Sequence, residues 1–108
     1  MKEEKIKVIV KRVDAQPDLT IIQNSLGKAQ NIVCGDIEII RLEKDVLIIC
    51  NENGKILRMK TNFIMTRDML VGIRGHVFFC TVDSEGEFAS LNAEQVMYVF
   101  DLLKESKI

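Results

Sequence analysis

His76 is the one histidine in the 108-residue chain, and it sits within Ile73-Arg74-Gly75-His76-Val77. On a strand, an imidazole two positions from a guanidinium shares a face with it, and the intervening glycine lets a ligand approach the backbone closely. Arg74 and His76 are therefore a candidate anion site, with Arg67 and Arg58 as further candidate ligand-binding cations. A base alone does not make an enzyme. No serine or cysteine stands in a local motif that marks it as a nucleophile for this imidazole, so no catalytic residue is assigned. The competing reading of His76 is a structural or merely exposed side chain, and it asks for less.

Other chemistry-bearing patterns are weaker. The first-strand lysines could meet phosphate, but lysine on an edge strand also blocks edge-to-edge pairing, and few aromatics are present for base stacking. Nucleic acid is thus an unpromising partner. Gly72-Ile73-Arg74-Gly75 is too short for a dinucleotide or P-loop fingerprint. Asp83, Glu85 and Glu87 lack the further ligands at fixed offsets that a calcium loop needs. Cys34, Cys50 and Cys80 are odd in number, far apart and set among apolar residues, without a Cys-x-x-Cys pair. They read as reduced, mostly buried thiols of a cytoplasmic protein rather than a disulfide framework or a zinc site. No metal and no cofactor is called for.

Composition bounds the rest. At 12.3 kDa with 47% hydrophobic and 29% charged residues, the chain suits one globular domain over residues 1–108, able to bury a core unaided. A formal charge of −1 disfavours a nucleic-acid coat or a basic membrane binder. Charge is uneven, with five basic against two acidic groups in residues 1–12 and six acids against two lysines in residues 83–108. No apolar run approaches the roughly 20 residues that span a bilayer, and the charged start is unlike a signal peptide.

The elements that must position these groups read as a small, mainly antiparallel α+β domain of about five to seven strands. A short helix follows the second strand, and a C-terminal helix packs on the sheet. Ile6, Val8 and Val10 alternate with lysines as a half-buried strand, Pro17 marks a turn, and Leu19 to Gln23 returns. Ser25 is an N-cap for a helix carrying Leu26, Ala29, Ile32 and Val33, with Gly35 as its left-handed C-terminal residue. Ile37 to Leu42 puts isoleucines on both faces, which calls for two buried faces or a bulge. Val46 to Asn51 runs into Asn53-Gly54, a strong hairpin signal, with Cys50 expected opposite Leu57 and Ile48 opposite Met59. Asn62 to Leu70 reads as loop with a turn of helix. Val71 to Val82 reads as one strand, and Glu87 to Leu91 as a last one.

Asn92 and Gln95 form a capping-box pattern for a helix over Ala93 to Glu105. Its expected docking stripe is Ala93, Val96, Val99, Phe100 and Leu103. Tyr98 and Leu102 lie away from the stripe centre. They are either semi-buried at its margin or a contact for a second subunit or target protein.

Three segments together carry a family likeness: Leu26 to Ile40, Cys50-Asn51-Glu52-Asn53-Gly54-Lys55, and Gly75 to Val96 with its Gly86-Glu87-Phe88-Ala89-Ser90-Leu91-Asn92 portion. Over residues 5 to 100 the chain resembles the small bacterial and phage domain-of-unknown-function family 3846. It departs at Gly27, Cys34 and His76, and at Phe63, where an arginine usually follows the asparagine. The resemblance implies a phage, plasmid or conjugative-element origin and assigns no activity, so no catalytic residue follows from it. The resulting expectation is a non-enzymatic cytoplasmic binding protein whose partner is a host protein or small ligand, with homo-oligomers possible and no membrane partner. The alternatives are a sponge for an anionic, nucleotide-like molecule through Arg74, His76, Arg67 and Arg58, and an enzyme using His76 as base.

Overall fold

The computed structural model describes residues 3–66 and 70–106. Strands β1 (Lys5–Lys11) and β2 (Asp18–Gln23) form a hairpin that leads into helix α1 (Leu26–Val33). Then follow β3 (Ile37–Arg41), a 3-10 turn at Glu43–Asp45, and β4 (Val46–Asn51). Strands β5 (Thr61–Thr66), β6 (Leu70–Arg74), β7 (Val77–Val82) and β8 (Phe88–Ala89) precede helix α2 (Ala93–Glu105). The main sheet has the order β2-β1-β7-β4-β3, all neighbours antiparallel, with β8 added beside the end of β7. Strands β5 and β6 pair separately as a two-stranded sheet.

The α+β expectation holds, including the helix after the second strand and the C-terminal helix. Its centre is β4, Val46-Leu47-Ile48-Ile49-Cys50-Asn51, whose six residues are all buried. A strand with no polar alternation has no wet face, so both sides of the sheet must be covered. Ala29, Ile32 and Val33 of α1 cover one side, against Val8, Val10, Leu47, Ile49, Phe78 and Cys80. The other side packs Ile9, Ile48, Val77 and Phe79 against Phe63, Met65 and Ile73 of the small sheet and Val99 of α2. Phe78 and Phe79 thus serve opposite cores, and Phe79 stacks on Phe63 with ring centroids 6.0 Å apart. The two-faced β3 follows from the same cause. It pairs with β4 from Ile37↔Asn51 to Arg41↔Leu47 without a bulge, and as an edge strand it has neither face buried: Ile37 packs on one core and Ile40 on the other, while Ile39 is half exposed.

The expected hairpin at Asn53-Gly54 does not form. A type I′ turn needs positive φ at both central residues, and neither Asn53 nor Gly54 has it; Arg58 does, at φ 56°. The Asn51 side chain accepts from Asn53 N at 2.7 Å and starts a single helical turn instead. That turn ends in a Schellman closure: Met59 N donates to Gly54 O and Arg58 N to Lys55 O. Cys50 therefore has Glu38 opposite, not Leu57, and Ile48 lies between Ile40 and Phe79.

Other corrections have equally local causes. Residues 61–66 are a strand rather than a loop; Asn62 hides the alternation because it is a buried polar residue beside buried Phe63 and Met65. Gly75, at φ 76°, breaks the expected strand over Val71 to Val82 into β6 and β7. The last strand is shorter than expected, Phe88–Ala89. Cys34, at φ 65°, takes the left-handed position after α1, while Gly35 leaves room for the Asn51 amide, which a Cβ would approach to 2.7 Å.

Asn62 closes a polar brace between the two sheets. Its Nδ2 donates to Lys11 O at 2.7 Å and Gly75 O at 2.8 Å, and its Oδ1 accepts from Lys11 Nζ at 2.9 Å. Asn62→Ala leaves those groups without partners and should lower stability by about 3 kcal/mol or more in urea unfolding. A loss below about 1 kcal/mol would show the brace to be dispensable. Arg58→Gly should act in the opposite sense. It relieves a left-handed non-glycine residue at some cost in chain entropy, for a net gain of roughly 0.5–1 kcal/mol by the same measurement.

Candidate functional site

The cations that the sequence suggests for an anion site are not gathered into one. Arg74 ends β6, and its Nη1 donates to Met59 O at 3.1 Å, bracing the end of the 52–58 turn. It lines a cavity of about 240 Å³ with Glu38, Glu52 and Lys55, a mixed-charge wall rather than a cationic one. His76 lies beyond the Gly75 bend, half-buried, and its Nδ1 accepts from Val13 N at 3.0 Å. An imidazole nitrogen that accepts a backbone N–H is unprotonated there, which holds the ring in the tautomer protonated at Nε2. Arg58 is exposed on the 52–58 turn, and Arg67 lies outside the described residues.

Helix α2 docks through Val96, Val99 and Leu103 of the expected stripe, but with its buried face rotated toward Gln95, Tyr98 and Leu102. Gln95 and Val99 are its buried residues, and Tyr98 and Leu102 are half-buried against the core beside Val96 and Leu103. Ala93 is exposed, and Phe100, 36% exposed, lies at the margin of the docked face. The cause is Gln95. It completes the capping box with Asn92, and its Nε2 donates to Lys44 O at 2.8 Å and Thr81 Oγ1 at 3.0 Å. A buried amide with both ends engaged can occupy a position that a hydrophobicity count reserves for an apolar residue.

The thiols do not converge on a reactive site. Cys50 and Cys80 are buried and Cys34 is exposed. Burial pushes the Cys80 thiol up to about 12, and burial followed by the nearby Glu38 carboxylate pushes Cys50 up to about 11. Both are poor nucleophiles at neutral pH. Among the described residues no group of three or more His, Cys, Asp or Glu side chains is placed to hold a metal ion. Asp83 instead closes its own turn, accepting from Glu85 N and Glu87 N at 2.8 and 3.0 Å; the backbone bond from Glu87 is the largest cause of its lowered pKa.

Two surface features stand out that the sequence alone does not reveal. One is the 52–58 turn. Ile56 is 80% and Leu57 59% exposed, and they stand between exposed Lys55 and Arg58. The other is a cavity of about 560 Å³ between the β1–β2 turn and the end of α2, lined by Lys11, Asp14, Pro17, Phe63, Phe100 and Lys104 among others. Lys11 is only 6% exposed, and its Nζ donates to Arg12 O and Asn62 Oδ1, each at 2.9 Å. Burial lowers the pKa of this amine, against an opposing pull from the Asp14 carboxylate. In the sequence Lys11 looks like one more solvent-facing lysine of an edge strand. Only the pairing of β1 with both β2 and β7 shows that it is interior.

The two buried thiols set an alkaline limit on stability. Their folded pKa values lie above the ordinary 9.0, so their contribution is complete below pH 9 and is lost as pH rises toward 11 and 12. Lys11, with its folded pKa depressed, works in the reverse direction as pH climbs to 10.5. Unfolding free energy should fall between pH 9 and 11 by up to about 1.4 kcal/mol per unit for each thiol, offset in part by Lys11. Cys80→Ala should flatten that slope. At pH 7.5, alkylation of the native protein should modify Cys34 alone, read by mass spectrometry.

Compared with known proteins, residues 6–104 match the model of a family described as Domain of unknown function (DUF3846). No curated protein and no solved structure matches the chain.

Proposed function

The chain belongs to the DUF3846 family, whose description assigns it no activity, and from that premise we propose a non-enzymatic binding protein of a phage or mobile element that acts by occupying a host protein. The observation that carries this reading is the 52–58 turn. It holds two large apolar side chains in water on a well-braced support, where burial within the domain is not open to them. Asn51 anchors its start, the Schellman closure ends it, and the Arg74 side chain ties its last carbonyl region to β6. A pre-organised apolar knob loses little entropy on docking, which is what gives such a contact affinity. Apolar anchors surrounded by charge are also the usual anatomy of a protein-binding patch.

The charges around the knob narrow the partner. Lys55 and Arg58 directly flank Ile56 and Leu57, with exposed Glu52 at the start of the turn, so an apolar pocket with a mainly acidic rim is the complementary surface. The groups that could support catalysis are meanwhile engaged in architecture: His76 Nδ1 with the Val13 backbone, Arg74 with Met59 O, and Cys50 and Cys80 in the cores. These engagements favour a binding role over turnover.

The test is a double variant, Ile56→Asp with Leu57→Asp. Both side chains are exposed, so the melting temperature should stay within a few degrees of the parent. A partner captured by the parent from bacterial extract, and then purified, should lose at least tenfold in affinity for the variant by calorimetry. Undiminished binding by a folded variant would remove the knob from the interface. Turnover of a substrate abolished by His76→Ala would remove the binding-protein reading as a whole.

A further inference from the structure

We propose that the cavity between the β1–β2 turn and the end of α2 is a binding site for a small organic anion, a carboxylate or sulfonate on an apolar body, with the Lys11 amine as its recognition group. The site is independent of the 52–58 turn. Its walls are Phe63, Phe100, Leu103 and Pro17, apolar on both the sheet and helix sides, and about 560 Å³ suits a one- or two-ring molecule. The charge balance within it is positive. Among the described residues Lys11 and Lys104 line it, and the one lining carboxylate, Asp14, is paired with Lys60 Nζ at 2.6 Å.

Lys11 is held rather than free. Asn62 Oδ1 and Arg12 O take two of its three N–H donors and aim the ammonium from a nearly solvent-free position. Among the described residues nothing takes the third donor, which leaves it to a ligand oxygen. A buried ammonium that has lost most of its water gains from an arriving anion what solvent no longer supplies, so a charged headgroup is preferred to a neutral one. Asn62 is itself fully engaged, through Lys11 O and Gly75 O as well, so the amine is fixed before the ligand enters. That pre-organisation separates Lys11 from the solvated lysines elsewhere on the chain.

The experiment titrates the intact protein with anilinonaphthalene sulfonate, followed by fluorescence. In parallel it uses N-phenyl naphthylamine, the same aromatic body without the sulfonate. The expected result is saturable one-to-one binding of the sulfonate, at least tenfold tighter than the neutral compound. Lys11→Met should weaken it at least tenfold and Lys104→Gln severalfold, and amide shifts on binding should centre on Ala15, Phe63, Phe100 and Leu103. If Lys11→Met does not fold, Lys104→Gln, Phe100→Ala and the shift map decide the matter. Equal affinity for the two compounds, shifts centred on another face, or no saturation overturns the proposal.

Discussion

The pairing of β4 with β7 at the centre of the main sheet is the constraint from which the rest of this architecture follows. Neither strand offers a solvated face, because Val46 to Asn51 are all buried and Val77 to Thr81 nearly as completely. A chain of this size must then build two covering layers. The eight residues of α1 cover one side, and α2 with the β5–β6 ribbon covers the other. An isolated two-stranded ribbon is marginal in water. Here Phe63, Met65 and Ile73 make it part of the core.

Each of the three covering elements, α1, the β5–β6 ribbon and α2, is tied in place by one buried amide. Asn51 on β4 donates to Val33 O and Cys34 O at the end of α1. Asn62 on β5 reaches β1 and the Gly75 bend, and Gln95 on α2 reaches Thr81 of β7 and the turn before β4. Among the described residues no buried side-chain nitrogen or oxygen lacks a partner. Hydrogen bonds of this kind add modest net stability, but breaking one strands its partner in a dry interior. They therefore set where each layer sits more firmly than hydrophobic contact, which has little directional preference.

The same economy shapes what is left for function. Internal bracing holds Arg74 and His76, so the surface chemistry falls to an apolar turn with cationic flanks and to a cavity over a held amine. Both sites depend on the braces: Asn51 starts the turn, and Asn62 positions Lys11. Structural roles and the proposed binding roles thus fall on the same few polar residues.

Local patterning was sufficient to reveal the α+β class, the β1–β2 hairpin, the Ser25 cap and the Asn92–Gln95 capping box, because the caps join residues three apart and the hairpin joins two consecutive strands across one short turn. It was insufficient wherever a polar residue belonged inside. Asn62 hid a strand, Gln95 rotated the buried face of α2, and Asn51 turned a promising hairpin dipeptide into a helical turn. Whether Lys11 meets water is likewise a question of which strands lie beside it and what covers them. Side-chain periodicity reports one element's own preference; the burial of an amide or an amine is decided by partners far away in the chain, and those exist only once the layers have closed.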